Sequence, residues 1–148
     1  MTVRPVRQQD LPRVFEMMRA LTGEEYDFRD EVAFVWQHDS DDLGGFISLS
    51  LRPWAEGCES TPVPYIEGWW VEPELRQHGV GRALMAAAEQ WCRSNGYLEL
   101  GSDVEVENDV SLQAHQSLGF EQTVRLQFFR RRFGRETPGE APVKQIET

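Results

Sequence analysis

Glu67 lies in the apolar run that ends at Val71, and a few residues later Gly79 and Gly81 open a stretch with helical apolar spacing. A carboxylate held on a strand can accept a proton in general-base work. Glycines ahead of a helix let successive backbone N–H groups approach an anion, and the helix turns its positive end toward the same spot. The two features together combine a proton acceptor with a phosphate cradle. A cofactor carrying a pyrophosphate is the first candidate for that cradle. The dinucleotide fingerprint G-x-G-x-x-G fails because Leu84 stands where the third glycine would be, and a Walker lysine is missing.

These groups need elements to position them. Alternation predicts a central strand over 65–72, on which Glu67 shares a face with Trp69 and Val71, so the carboxylate lines a cleft or is a costly buried charge. Helical spacing predicts a helix over 81–95, stopped at Gly96, then a strand over 97–103, a helix over 108–118 stopped at Gly119, and a long edge strand or hairpin partner over 120–132. Upstream, a short strand is expected over 3–7. Asp10 is expected to cap a helix carrying Leu11, Val14, Phe15, Met18 and Leu21 on one face, with Gly23 ending it. An antiparallel pair is expected over 31–38 and 43–52 around the Asp39 to Asp42 turn, its second strand alternating Ile47, Leu49 and Leu51 against Phe46, Ser48 and Ser50. The fold class is therefore α+β, a single domain over residues 1–133. Residues 134–148, rich in Gly, Pro, Glu and Thr, read as a disordered tail.

Arg76-x-x-Gly79-x-Gly81 after a strand ending in Val71-x-Pro73 resembles the acetyl-CoA-binding motif of the GCN5-related N-acetyltransferase (GNAT) superfamily. Asn108, followed by a helix and then Leu118-Gly119-Phe120, resembles that superfamily's second signature. The resemblance implies a mixed, mostly antiparallel sheet whose central parallel strands splay apart to admit the pantetheine arm of acetyl-CoA. It implies that the backbone of Trp70 and Val71 faces the pantetheine. Arg76, Gln77, His78, Gly79, Val80, Gly81 and Arg82 would hold the pyrophosphate, and Asn108 would hydrogen-bond the arm. Glu67 would be the general base, directly or through a water. His115 stands where the superfamily commonly has a tyrosine acid, four residues before Gly119, and would supply the acid.

Within the superfamily, the stretches 59–68, 101–108 and 115–120 resemble the aminoglycoside 6′-N-acetyltransferases, histidine included. That implies a polycationic amine as acceptor, with Glu67, Trp69, Asp103 and Glu105 lining its site and the Asp39, Asp41 and Asp42 turn adding acceptors. One departure is visible: only residues 22–30 separate the first helix from the next strand, too few for the second helix that walls the acceptor site in that group. The alternatives are transfer to another small amine or a protein amino group, or an acetyl-CoA-binding module without catalysis.

Composition narrows the partners. A chain of 148 residues with 40% hydrophobic content can bury a core as one domain. Its net charge of −10 argues against nucleic acid and suits a cationic partner. No apolar run approaches the roughly 20 residues that cross a bilayer, and no signal segment opens the chain, so the expectation is a cytoplasmic protein with no membrane role. Cys58 and Cys92 show no metal or redox spacing, His38 and His78 lack partners at ligand spacing, and no metal is expected. A homodimer, built on the long terminal strand, is expected from the family resemblance.

Overall fold

Seven elements arise from these patterns in the computed structural model, which describes residues 2–25 and 31–134. They are β1 (Thr2–Pro5), α1 (Leu11–Thr22), β2 (Val32–Gln37), β3 (Leu43–Arg52), β4 (Val63–Val71), α2 (Val80–Ser94) and α3 (Asp109–Ser117), with short 3₁₀ turns at Gln8–Asp10 and Pro73–Leu75. The strands form one sheet in the order β1-β2-β3-β4, each antiparallel to its neighbour. The expected α+β class holds.

The two long helices cover opposite faces. Val14, Met17 and Met18 of α1 pack with Val35, Leu43 and Phe46 on one face, and Val80, Leu84, Met85, Ala88 and Cys92 of α2 pack with Ile47, Leu49 and Ile66 on the other. For that reason β3 is buried on both sides from Leu43 to Leu49, although its sequence alternates. Ser48 is drawn into this interior with a buried hydroxyl that has no recorded partner.

Asp10 does not cap α1. Its backbone is helical and its side chain makes no cap bond. Instead the buried carboxylate accepts from Arg4 Nη1 and Nη2 at 2.7 and 3.0 Å and from the Arg7 N–H at 2.7 Å. It pins the chain between β1 and α1, while Pro12, lacking an N–H, sits in the first turn where that donor has no helical partner anyway. Gly23 ends the helix at φ 77°, its N–H bonding Arg19 O at 2.8 Å.

Two expected strands differ. Over 97–103 the pairing is a single parallel bridge between Tyr65 and Gly101, with Ile66 N–H donating to Gly101 O and Gly101 N–H to Pro64 O, both at 2.9 Å. The reason lies in the flanking side chains. Leu98 is solvent-exposed, and Glu99 turns to the 53–62 loop, where it accepts from the backbone N–H groups of Glu59 and Ser60 and from the Ser60 hydroxyl. Residues 120–132 form neither edge strand nor hairpin. They run without regular structure and nearly all exposed, since the 97–103 segment, paired with β4 only at the Tyr65–Gly101 bridge, forms no strand for them to join. The tail expected from residue 134 lies, after Gly134, outside the described residues, as do residues 26–30 of the 22–30 connection.

A candidate acyl-transfer site at the open edge of β4

β3 and β4 pair regularly from Gly45 with Val71 to Ser48 with Gly68, then slip, so that Leu49 meets Ile66 and Glu67 is left as the extra residue of a bulge. A bulge re-aims a side chain. Gly68 faces Met18 and Phe46, on the α1 face, and Glu67 also reaches groups of that face: Ser50 Oγ donates to its Oε1 at 2.5 Å. Arg52 Nε and Nη2 donate to Oε1 and Oε2 at 2.8 and 2.9 Å. The expectation that Glu67 shares a face with Trp69 and Val71 is thereby corrected. Period two fails where one strand carries an additional residue.

Trp69 lies on the α2 face, its indole N–H donating to Gly81 O at 3.3 Å and its ring edge-on to His115 at 5.4 Å. It braces the glycine turn rather than standing beside Glu67. Trp70 returns to the α1 face, packed at the end of the α1 core, with Arg76 over its ring at 4.6 Å.

Burial works to raise the Glu67 carboxyl, but the hydrogen bonds from Arg52 and Ser50 and the Arg52 charge outweigh it, leaving the group below the ordinary carboxylate value. Arg52 is raised in turn, first by its bond to Glu67. Its guanidinium lies 3.6 Å over the Tyr65 ring, and the Tyr65 hydroxyl donates to Asp103 Oδ2 at 2.6 Å. Burial first, then the bond to Asp103, pushes the Tyr65 phenol far up. Arg52, Ser50 and Tyr65 were not among the residues singled out from sequence. The usable signal was register: Ser50 and Arg52 alternate onto one face of a strand beside Tyr65 and Glu67.

Beyond Ile66 the outer edge of β4 parts from the 101–105 segment, because their pairing is the one bridge at Tyr65. Past this open edge comes the glycine turn. Gln77 at φ 64° and Gly79 at φ 85° bend the backbone through two left-handed residues, a geometry that gathers N–H groups on a concave side. Ala83 N–H bonds Gly79 O at 3.0 Å, so the amides of Val80, Gly81 and Arg82 precede the first helical hydrogen bond. Arg76 turns back, its Nε donating to Val71 O at 2.8 Å, and His78 Nδ1–H donates to Arg76 O at 2.7 Å. Both clamp the turn. An anion with a long, hydrogen-bonding arm fits this combination of open strand edge and helix start.

Asn108 caps α3, its side-chain oxygen accepting from Ser111 N–H at 3.1 Å and leaving its amide N–H groups for another partner. His115 is buried, with Nδ1 2.7 Å from Ser111 O and Nε2 2.8 Å from Ser102 Oγ. A carbonyl only accepts, so Nδ1 carries the proton, and in the neutral ring Nε2 accepts from Ser102. Phe120 and Trp69 meet the ring edge-on.

The acidic groups divide. Asp103 joins Glu67 through Tyr65 and Arg52, and Glu105 follows on the exposed stretch before α3. Asp41 and Asp42 lie at the other end of β4, in an open cavity of about 560 Å³ with Arg13, His38, Glu72 and Glu74, where Arg13 pairs with Glu72 at 2.7 Å. Glu67 and Glu72 are five residues apart, about 17 Å along a strand, so that turn is remote from Glu67. Among the described residues no group of His, Cys, Asp or Glu could hold a metal ion.

Residues 5–120 match the profile described as "Acetyltransferase (GNAT) family". An aminoglycoside N(6′)-acetyltransferase type 1 of Klebsiella aerogenes is 45% identical over 87 residues, 59% of this chain and 57% of that protein. The chain thus spans less than two thirds of this relative. Among solved structures, AAC(6′)-Iy in complex with a bisubstrate analog, CoA-S-monomethyl-acetylneamine, superposes with a TM-score of 0.79 at 31% identity, covering 88% of this chain and 97% of that one. The same enzyme in complex with CoA gives a TM-score of 0.80 at 30% identity over 88% and 94% of the two chains. An open strand edge, a glycine turn of left-handed backbone and a family match running through both place this chain in the GNAT acetyltransferase family.

Proposed function

We propose that the chain is an acetyl-CoA-dependent N-acetyltransferase acting on the 6′-amine of aminoglycosides by direct transfer in a ternary complex. The observation that carries this reading is Glu67, re-aimed by the β4 bulge into a group of Asp103, Tyr65 and Ser50 beside the open strand edge. The similarity to a protein solved with an acetylneamine conjugate supports it.

In this reading the backbone of Trp70 and Val71 pairs with the pantetheine, and Asn108 offers its free amide N–H groups to the same arm. The pyrophosphate sits on the turn from Arg76 through Gln77, His78, Gly79, Val80 and Gly81 to Arg82. The amine nitrogen attacks the thioester carbon, the C–S bond breaks and CoA leaves as a thiolate. The proton lost by the amine passes to Glu67, directly or through a water. His115, whose Nδ1–H is held by Ser111 O, fixes Ser102 and Trp69 around the cleft. The thiolate is a sufficient leaving group without a dedicated acid. Asp103 and Glu105 bind further ammonium groups of the acceptor.

The working form is a homodimer in the cytoplasm, where acetyl-CoA is available. Its support is the exposed segment 124–133, in which Val124, Leu126 and Phe128 recur at strand spacing and Phe128, Phe129 and Phe133 are 90%, 91% and 76% exposed. The direct test is CoA-thiol release from acetyl-CoA with kanamycin- and gentamicin-type aminoglycosides, polyamines and basic peptides. Release with an aminoglycoside bearing a free 6′-amine is expected. Release only with polyamines or peptides would assign another acceptor, and saturable acetyl-CoA binding without release would assign a binding module.

A further inference from the structure

Arg52 is the last residue of β3, about two fifths exposed, while the Glu67 side chain it bonds is only 17% exposed. Its guanidinium is enclosed by a specific set of groups: the Glu67 carboxylate bound in a fork, the Tyr65 ring at 3.6 Å, and Asp103 beyond the Tyr65 hydroxyl. Carboxylate, aromatic face and a second carboxylate are the groups that recognise an organic ammonium. The protein's own cation already fills them.

We propose that Arg52 is an internal stand-in for the acceptor, occupying in the free protein the place of a substrate ammonium and being displaced from Glu67 when the acceptor binds. This deepens the amine-acceptor reading of the site and rests on it. Three features support displacement over a fixed brace. A partly buried carboxylate left bare is costly, so exchanging one cation for another keeps Glu67 paired throughout. Arg52 is the more exposed partner and adjoins the 53–62 loop, so its side chain has a route to solvent. Among the described residues no second carboxylate hydrogen-bonds the Arg52 guanidinium, which would have anchored it against release. Because the acceptor must replace two charge-assisted bonds, Arg52 sets a threshold that a polycation clears more readily than a monoamine. It is therefore a specificity residue.

The test joins kinetics to a direct view of the side chain. Arg52→Met keeps an apolar stem over Tyr65 and removes the fork, and Arg93→Met, on the exposed face of α2, controls for the loss of one positive charge. Arg52→Met is expected to lower KM for a kanamycin-type aminoglycoside about tenfold relative to Arg93→Met, the size of one charge-assisted hydrogen bond, with kcat nearly unchanged. In ¹⁵N-labelled protein with CoA bound, the Arg52 Nε–H resonance, identified by its loss in Arg52→Met, is expected to shift or exchange out as that aminoglycoside is added. A fall in kcat with unchanged KM, or an unmoved resonance in protein saturated with acceptor, overturns the proposal and makes Arg52 a fixed brace for Glu67. If the wild type neither binds nor acetylates an aminoglycoside, the acceptor reading falls separately. The same resonance under spermidine then decides Arg52, movement supporting displacement and stillness overturning it.

Discussion

Glu67 matters less for its type than for its place in a bulge, since the additional residue in β4 turns it from the α2 face to the face of Ser50 and Arg52. Replacing it with Gln should lower kcat about 100-fold, the usual effect of removing a positioned base. The acetyl-CoA Kd should stay unchanged, as measured by calorimetry, because the glycine turn is separate. Asp10 gives a stability prediction. Its carboxyl is held below the ordinary range, first by the hydrogen bond from Arg4 and against the opposing effect of burial. A lowered folded pKa means stability that is complete above the unfolded value, about 3.9, and is lost as pH falls through the folded one. Asp10→Asn should cost about 3 kcal/mol near neutrality because it leaves the mostly covered Arg4 guanidinium without its carboxylate. Urea unfolding at pH 7 and at pH 3 should show that gap narrowing in acid.

At the scale of elements, β3 and β4 approach so closely that position 45 requires a glycine. A Cβ on Gly45 would stand 2.9 Å from Trp70 O and 3.1 Å from Leu84 Cδ1. Gly45→Ala should therefore destabilise by about 1–3 kcal/mol, as overpacking does, and weaken cofactor binding by displacing the Trp70 backbone. At Gly79 the space is open and only the backbone objects, with φ at 85°. Gly79→Ala should cost about 1–2 kcal/mol for the left-handed conformation. It should also reduce the rise in Tm produced by CoA, which differential scanning with and without CoA would read. Helix periodicity and glycine stops were legible because α1 and α2 each bury one stripe, a local pattern with a local cause. The 97–103 segment was not, because a strand is defined by pairing along its length, and here Leu98 faces solvent while Glu99 is turned to the 53–62 loop.

For the whole molecule, the four-stranded sheet and two covering helices close a core without residues 121–134, which remain exposed with five large apolar side chains. Alternating Val124, Leu126 and Phe128 would pair well on a strand, and a second chain can supply the edge that one chain lacks. Sedimentation should find the wild type dimeric and a Leu126→Asp, Phe128→Asp double variant monomeric, with the far-ultraviolet signal of α1 and α2 intact. A wild-type monomer at micromolar concentration would defeat this prediction.

The sequence by itself determined the family, the glycine turn, both long helices and the candidate carboxylate, because each depends on residue type at short spacing. The tertiary structure alone decided which way that carboxylate points and what it meets. Glu67's direction depends on how β4 pairs with β3, and its partner Arg52 lies 15 positions away in the chain. A one-residue slip between two strands is set by their pairing and not by the residue types of either, yet it reverses a face and brings a cation onto the group expected to receive one.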